Sequence, residues 1–456
     1  MLVIVSDLHL GDGTTSESIP SSAFQLFARR MKETAYFASW RKDGSYRPIE
    51  NLDVVLLGDV FDALHSTRWL DAFSINDANY IRPWSDPQNP KYAAKLLEVT
   101  RAIFEENNGA LAILRRCAEG REIRLAPATR SGNPDFKSEE QVPIKVRFHY
   151  MIGNHDWYYH LEGEAFDKIR AEMVEKLGLC NPASPFPYEA SESPLLKDLF
   201  DRYKVLGRHG DCFDMFNFDA EKGRNSSSIG DAFVMEVCNR YPVEAQRRYG
   251  DKLPTGVVDS LRHITNIRPA FAAPMWISGQ IKNHAGGLPI EIELKKVWDE
   301  IADEFLQLDF VRQLDKSFQF DSVDALELAI KISKSASFST INEVVAWAQD
   351  KLWGVKNSYT HYALNESAFL NQTAQYVVYG HTHHYETIPL DATGFMPYAN
   401  SQMYFNSGTW RTYYDLAVKN PKEQKFVPYQ ALTYITFYTD GEYEGRNFDA
   451  WSGIYA

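Results

Sequence analysis

Leu2-Val3-Ile4-Val5-Ser6-Asp7-Leu8-His9 is a short, mostly β-branched apolar run that breaks off into a serine, an aspartate and a histidine. Its length and composition predict a buried strand, and it stops on side chains suited to holding a cation. The same event recurs along the chain. Asp53-Val54-Val55-Leu56-Leu57 ends in Gly58-Asp59-Val60-Phe61-Asp62, and Val146 to Ile152 ends in Gly153-Asn154-His155-Asp156. Tyr203 to Leu206 ends in Gly207-Arg208-His209-Gly210-Asp211, and Tyr376-Val377-Val378-Tyr379 ends in Gly380-His381-Thr382-His383-His384. Sheets of α/β proteins build their sites just past strand ends. Repetition of this kind predicts an α/β fold with one shared site.

Helical stretches separate the strands: Tyr92 to Cys117 reads as one long amphipathic helix and Glu164 to Leu177 as another. From about Met215 to Leu370 the character changes. Helical periodicity runs through Glu291 to Phe310, Val323 to Ser333 and Ile341 to Trp353, and no strand there ends in ligand-like residues. The expected organisation is a core in two parts, 1–214 and 371–456, with a mainly helical insertion, 215–370, lying over the site as a cap. After the histidines, Met403 to Trp410 leads to an alternating run, Tyr429 to Tyr438. Asp440-Gly441 then predicts a hairpin turn, with Glu442 to Phe448 returning.

Bulk properties narrow the function. A chain of 456 residues with 44% hydrophobic and 14% aromatic content can bury a large core, which sets aside a disordered protein. The net charge of −13 disfavours a broad nucleic-acid groove. Arg115, Arg116, Arg121, Arg124 and Arg130 form the one basic cluster, and a solvated helix end explains them more simply than a binding patch. Cys117, Cys180, Cys212 and Cys238 include no CxxC pair and make no disulfide framework, which suits a reducing, cytoplasmic compartment. Asp7 and His9 interrupt the first apolar run, so it reads as neither signal peptide nor anchor, and no membrane span is expected.

Two divalent cations held ~3.5–4 Å apart need a bridging carboxylate and a mixture of oxygen and nitrogen ligands. Asp7, His9, Asp59, Asn154, His209, His381 and His383 supply that mixture, with Asp62, His155 and Asp156 beside them. Imidazole with carboxylate points to manganese, iron, zinc or cobalt, whereas calcium would take oxygens alone. Each block is weak by itself: a DxH is common, a GDxxD is more often a turn, and an HxH marks many metal enzymes. Their joint occurrence in this order is what carries weight.

The series DxH, GDxxD, GNHD, HGD and GHTH resembles the signature of the calcineurin-like metallophosphoesterase superfamily. It spans residues 7 to 383, and Asn406-Ser407-Gly408-Thr409-Trp410 is similar to a block that follows the last histidines there. The resemblance implies two packed mixed β-sheets flanked by helices, with the site at one rim. It implies two divalent metal ions, manganese first. Asp7, His9 and His383 would hold one ion, Asn154, His209 and His381 the other, and Asp59 would bridge them. His155, oriented by Asp62, would stand near the leaving-group oxygen. The implied reaction is hydrolysis of a phosphodiester or phosphomonoester, nucleotide-like or a nucleotide conjugate, by in-line attack of a metal-bridging hydroxide. Two dipositive ions less the charges of Asp7 and Asp59 leave a positive site for a phosphate and for the charge that builds during the reaction.

Other readings compete with this one. The His209-Gly210-Asp211 block is similar to that of the UDP-diacylglucosamine pyrophosphatases, but those carry arginine where this chain has His155. A nuclease acting on DNA or RNA ends would share the histidine but would want a basic path. A metal-binding scaffold should have lost a ligand, and none is missing. A TIM-barrel hydrolase would place HxH at the first strand, whereas here it comes last. The insertion could serve a protein partner or a second copy of the chain. Trp276, Trp298, Trp347 and Trp353 could stack a base, although core positions are the simpler reading. Asp156, Asp211 and Asp214 read either as structural residues or as partners of the metal ligands, while simple structural readings hold for Asp12, His384 and Cys212. They extend to His65, His149, His160, His263, His284 and His361.

Overall fold

The computed structural model describes residues 1–15, 17–268, 276–277, 279–280, 283–284, 289–314, 358–393, 400–416 and 426–454. Strand β1 is Leu2–Val5, β2 is Leu52–Leu57, and a small ribbon of β3 (Arg124–Leu125) and β4 (Val142–Pro143) precedes β5 (Val146–Met151). Then follow β6 (Val205–Gly207), β7 (Ile267–Arg268), β8 (Tyr376–Tyr379), β9 (Glu386–Thr393) and β10 (Asn400–Asn406). β11 (Tyr413–Leu416), β12 (Phe426–Tyr429), β13 (Ala431–Phe437) and β14 (Phe448–Ile454) complete the set.

The fold is mixed α/β. One sheet has the order β14-β13-β1-β2-β5 and a second the order β6-β8-β10-β9, while β12-β11-β7 forms a third, smaller one. β1, β2 and β5 run parallel, as do β6, β8 and β10, and antiparallel β14, β13 and β9 complete their edges. Strands buried on both faces need continuous apolar runs, and alternation decides which side chain goes where. Leu2, Ile4, Val55 and Leu57 turn towards the second sheet, meeting Val378 and Phe405, whereas Val3, Val5, Val54 and Leu56 turn the other way. Aromatic edges lock the two sheets together: Tyr376 and Phe437 lie 5.0 Å apart and Phe405 and Phe437 lie 5.7 Å apart. On the outer face of the first sheet sit helices α1 (Ser21–Ala38), α2 (Pro90–Glu106), α3 (Asn108–Ala118) and α4 (Glu164–Leu177). Helix α5 (Pro194–Tyr203) fills the space beside β6 with Leu199, Phe200 and Tyr203.

Two expectations are corrected. Tyr92 to Cys117 is two helices rather than one, because the Asn107 side chain leaves the helix path to donate to the Gly11 carbonyl at 2.8 Å. The last hairpin is not a two-residue turn at Asp440-Gly441. A 3-10 turn at Tyr443–Gly445 lengthens the connection, Glu442 is occupied by the Met1 ammonium and the Thr439 amide, and the return strand starts only at Phe448.

Within 215–370 the described residues are mostly helical: Ile229–Phe233, a π-turn at Val234–Asn239, Arg240–Tyr249, Val257–Arg262 and Ile290–Gln307. They share their own core, which includes Tyr241, Trp276 and Trp298. Trp298 and Trp276 are thus core residues, as the simpler reading had it. Trp347 and Trp353 and the periodic stretches Val323 to Ser333 and Ile341 to Trp353 lie outside the described residues. This helical segment attaches to the main sheets through polar anchors. The buried pair Arg82–Glu236, Asn239 donating to the Leu64 carbonyl at 3.0 Å, and Trp157 donating to Asp231 at 3.2 Å all lie just behind the site.

Candidate metal centre

All seven candidate ligands converge where the C-terminal ends of β1, β2, β5, β6 and β8 meet. The turns that carry them are tight. Asp7, His9, Asp59, His381 and His383 all have positive φ, between 45° and 66°, an uncommon state for residues other than glycine. Gly58 also needs its φ of +85°, but Gly153 is required for a different reason: a Cβ there would collide with Asp59 and His209.

Two groups of ligands form. The donor atoms of Asp7, His9 and His383 lie within 4.8 Å of one another, as do those of Asp59, His209 and His381. Ligands on opposite sides of a first-row ion are at most about 4.2 Å apart, twice a bond of roughly 2.1 Å. His9 Nε2 lies within that limit of His383 Nε2 (3.0 Å) and Asp7 Oδ1 (3.8 Å), as His209 Nε2 does of Asp59 Oδ2. Asp59 stands between the groups, with Oδ2 3.2 Å from His209 Nε2 and 3.7 Å from His9 Nε2. Asn154 Oδ1 joins the second group, 2.9 Å from His381 Nδ1 and 3.3 Å from His209 Nε2. Asn217 orients that amide by accepting from Asn154 Nδ2 at 3.3 Å.

Tautomers follow from the outer partners of each ring. His9 Nδ1 faces Asp62 at 3.0 Å, His209 Nδ1 faces the Leu57 carbonyl at 3.0 Å, and His381 Nε2 faces Asp214 at 3.0 Å. A carboxylate or carbonyl only accepts, so each of those nitrogens donates, and the neutral ring's other nitrogen is a bare lone pair. Those inner nitrogens point at Asp7, Asp59 and Asn154, which also offer lone pairs, and at His383 Nε2. Acceptor facing acceptor is repulsive unless a proton or a cation lies between them. The donor set therefore fits divalent cations.

Electrostatics agree. Burial would raise the Asp7 carboxyl, but His209, His383 and His9 reverse that and hold it well below the usual range. Burial likewise opposes Asp59, and His209 and His155 bring it down. Burial would depress His209, yet Asp59 and Asp7 push it up to about 10. Without metal, the site takes up protons to balance its carboxylates.

His155 lies on the open side. Its Nδ1 is 2.9 Å from Asp62 Oδ1, its Nε2 is 4.0 Å from Asp59, and its amide donates to Asp59 Oδ1 at 2.8 Å. Asp62 and Asp59 raise it to about 9 despite burial.

Asp156 is a structural anchor here, accepting from the Gly153 and Val60 amides and from Tyr150 Oη, and so tying two ligand turns together. Asp211 pairs with Arg224, and Asp12 accepts from Ser66 and Thr14 within its loop. His384 lies beside Tyr413, and burial pushes the Cys212 thiol up to about 11, as for a packed, protonated group. Arg115, Arg116 and Arg121 pair with Glu119 and Glu122, as a solvated helix end would.

Reading the sequence missed His65 and Arg411, and left Asp214 between a structural role and that of a partner to a ligand. His65 is no ordinary core residue: its Nδ1 lies 2.6 Å from Asp62, and its ring lies 4.8 Å from that of His155. The signal for Arg411 was its place directly after Trp410. Asp214 is brought back to His381 by the 3-10 turn Asp211–Phe213, which no periodicity announces. No helix among the described residues is long and apolar enough to cross a membrane. Comparison with protein-family models gave no match, and none of the curated proteins matched the chain significantly.

Proposed function

We propose that the protein is a binuclear metal-dependent phosphoesterase of the calcineurin-like kind, hydrolysing a phosphodiester or phosphomonoester of nucleotide type. One observation carries the reading. Imidazoles fixed as donors on their outer side aim bare inner nitrogens at carboxylate and amide oxygens around one shared carboxylate, Asp59. Facing mixed sheets with flanking helices suit the sandwich that this reading requires, and the five blocks of sequence meet at its rim. Asp7, His9 and His383 are assigned to one ion and Asn154, His209 and His381 to the other, with manganese the first candidate. The segment 215–370, mostly helical in its described residues, is assigned as an insertion bordering the site.

When bound, the two cations supply positive charge for the phosphate and an ionised water for attack. The chain's own groups complete the chemistry. His155, charged and held by Asp62, can pass its Nε2 proton to the departing oxygen, which suits poor leaving groups. The accepting partners Asp62, Asp214 and the Leu57 carbonyl keep His9, His381 and His209 in their working tautomers. Net charge and the paired arginines favour a small substrate over a nucleic acid.

Metal-free protein titrated with manganese should bind two ions per chain and then hydrolyse bis(4-nitrophenyl) phosphate. Metal uptake without turnover of any phosphomonoester, cyclic nucleotide, nucleoside diphosphate conjugate or single-stranded DNA would favour a scaffold instead. Binding of one ion would end the binuclear assignment.

A further inference from the structure

Asp62 serves more than His155. Its Oδ1 accepts from His155 Nδ1 at 2.9 Å and from the His65 amide at 3.1 Å. Its Oδ2 lies 3.0 Å from His9 Nδ1, 2.6 Å from His65 Nδ1 and 2.7 Å from Arg411 Nη1. One carboxylate therefore orients an imidazole that faces the metal cluster and another that faces the leaving group, and the two rings meet edge-on at 4.7 Å. Among the donors to Asp62, Arg411 alone carries a permanent charge. It is buried and its placement is determined at both ends. Its amide donates to Thr409 Oγ1 at 3.1 Å, and Thr409 in turn donates to the Asp7 carbonyl at 2.6 Å. Its Nη2 donates to Thr265 Oγ1 at 3.2 Å, on the helical segment. Burial drives His65 down to about 3, so its neutral ring supports Asp62 without adding charge.

We infer that Arg411 is a positioning residue: its guanidinium, steadied by Thr265, pins the Asp62 carboxylate so that His155 is held in register. The inference rests on the phosphoesterase reading. Because Arg411 is buried and its guanidinium meets Asp62, His65 Nδ1 at 3.0 Å and Thr265, it acts on turnover through His155 and contributes little to substrate binding.

The test uses the metal-loaded full chain and bis(4-nitrophenyl) phosphate. Arg411→Met should keep two manganese ions and an unchanged KM while kcat falls about 10–100-fold, the range for a lost outer partner. Arg411→Lys should recover part of the loss. In a His155→Asn background, Arg411→Met should cost less than about twofold more, because the two residues act through one path. Independent, multiplying losses, or a raised KM with kcat intact, would overturn the inference while leaving the phosphoesterase reading standing. Absence of wild-type turnover would sink both. If Arg411→Met does not fold, Arg411→Lys decides: a kcat loss that disappears in the His155→Asn background supports the role, and one that persists refutes it.

Discussion

At the scale of single residues, Asp59 and His155 differ in kind. Asp59 Oδ2 lies between both ligand groups, whereas His155 lies outside them and touches Asp59 only through its backbone amide and at 4.0 Å through its ring. Asp59→Asn should lose paired metal binding and activity together. His155→Asn should keep both metals and lose about 10²–10⁴-fold in kcat, the usual contribution of a general acid. Metal analysis beside kinetics checks this, and equal metal loss in both variants would mean that the roles are wrong. Asparagine is the right probe at Asp7 and Asp59 for a further reason. Their φ values of 52° and 53° are tolerated by asparagine but strain most other side chains, so alanine would confuse backbone cost with ligand loss. Every residue assigned to the metals was legible in the sequence, because each ends an apolar run. His65 and Arg411 were not, since they reach the site through turns and long-range pairing rather than through any local pattern.

At the scale of elements, the strands were legible and their connections less so. β1 and β8 begin and end where their apolar runs do, but Asn107 divides a continuous helical pattern because its side chain answers a carbonyl in another loop. The turns that close the strands are the most sensitive parts. Gly153→Ala would place a methyl group against Asp59 and His209, so the expected result is weakened metal binding with the remaining fold preserved, read by manganese titration and circular dichroism. The attachment of the helical segment can be tested at the buried pair Arg82–Glu236. Arg82 also donates to the Trp69 carbonyl and to the Ala72 carbonyl at 2.8 Å, so Arg82→Met leaves two carbonyls unpaired and Glu236 with Arg240 as its remaining cation at 3.3 Å. Removing one partner of such a pair costs about 3–5 kcal/mol. Urea unfolding should show that loss, and a variant as stable as the parent would mean that the segment is held by other contacts.

For the whole molecule, the concentration of buried carboxylates sets how stability follows pH. In the metal-free state His155 is held up to about 9 and His209 up to about 10, both above the ordinary value of about 6.5. A raised folded-state pKa stabilises the fold where the group is protonated. The contribution is complete below about pH 6.5 and disappears as pH rises through 9 to 10. The melting temperature of metal-free protein should therefore fall over that window, and manganese should flatten the decline by standing in for the lost protons. Parallel scanning calorimetry of the two forms would show it, and identical slopes would disprove it. The pairing of β1 with both β2 and β13 has a different consequence. A strand near residue 2 waits for a neighbour beyond residue 431, and contacts so distant in sequence are slow to form. During synthesis the growing polypeptide would expose an unzipped, sticky border until residues 435–437 have emerged, and chaperone demand should persist until then.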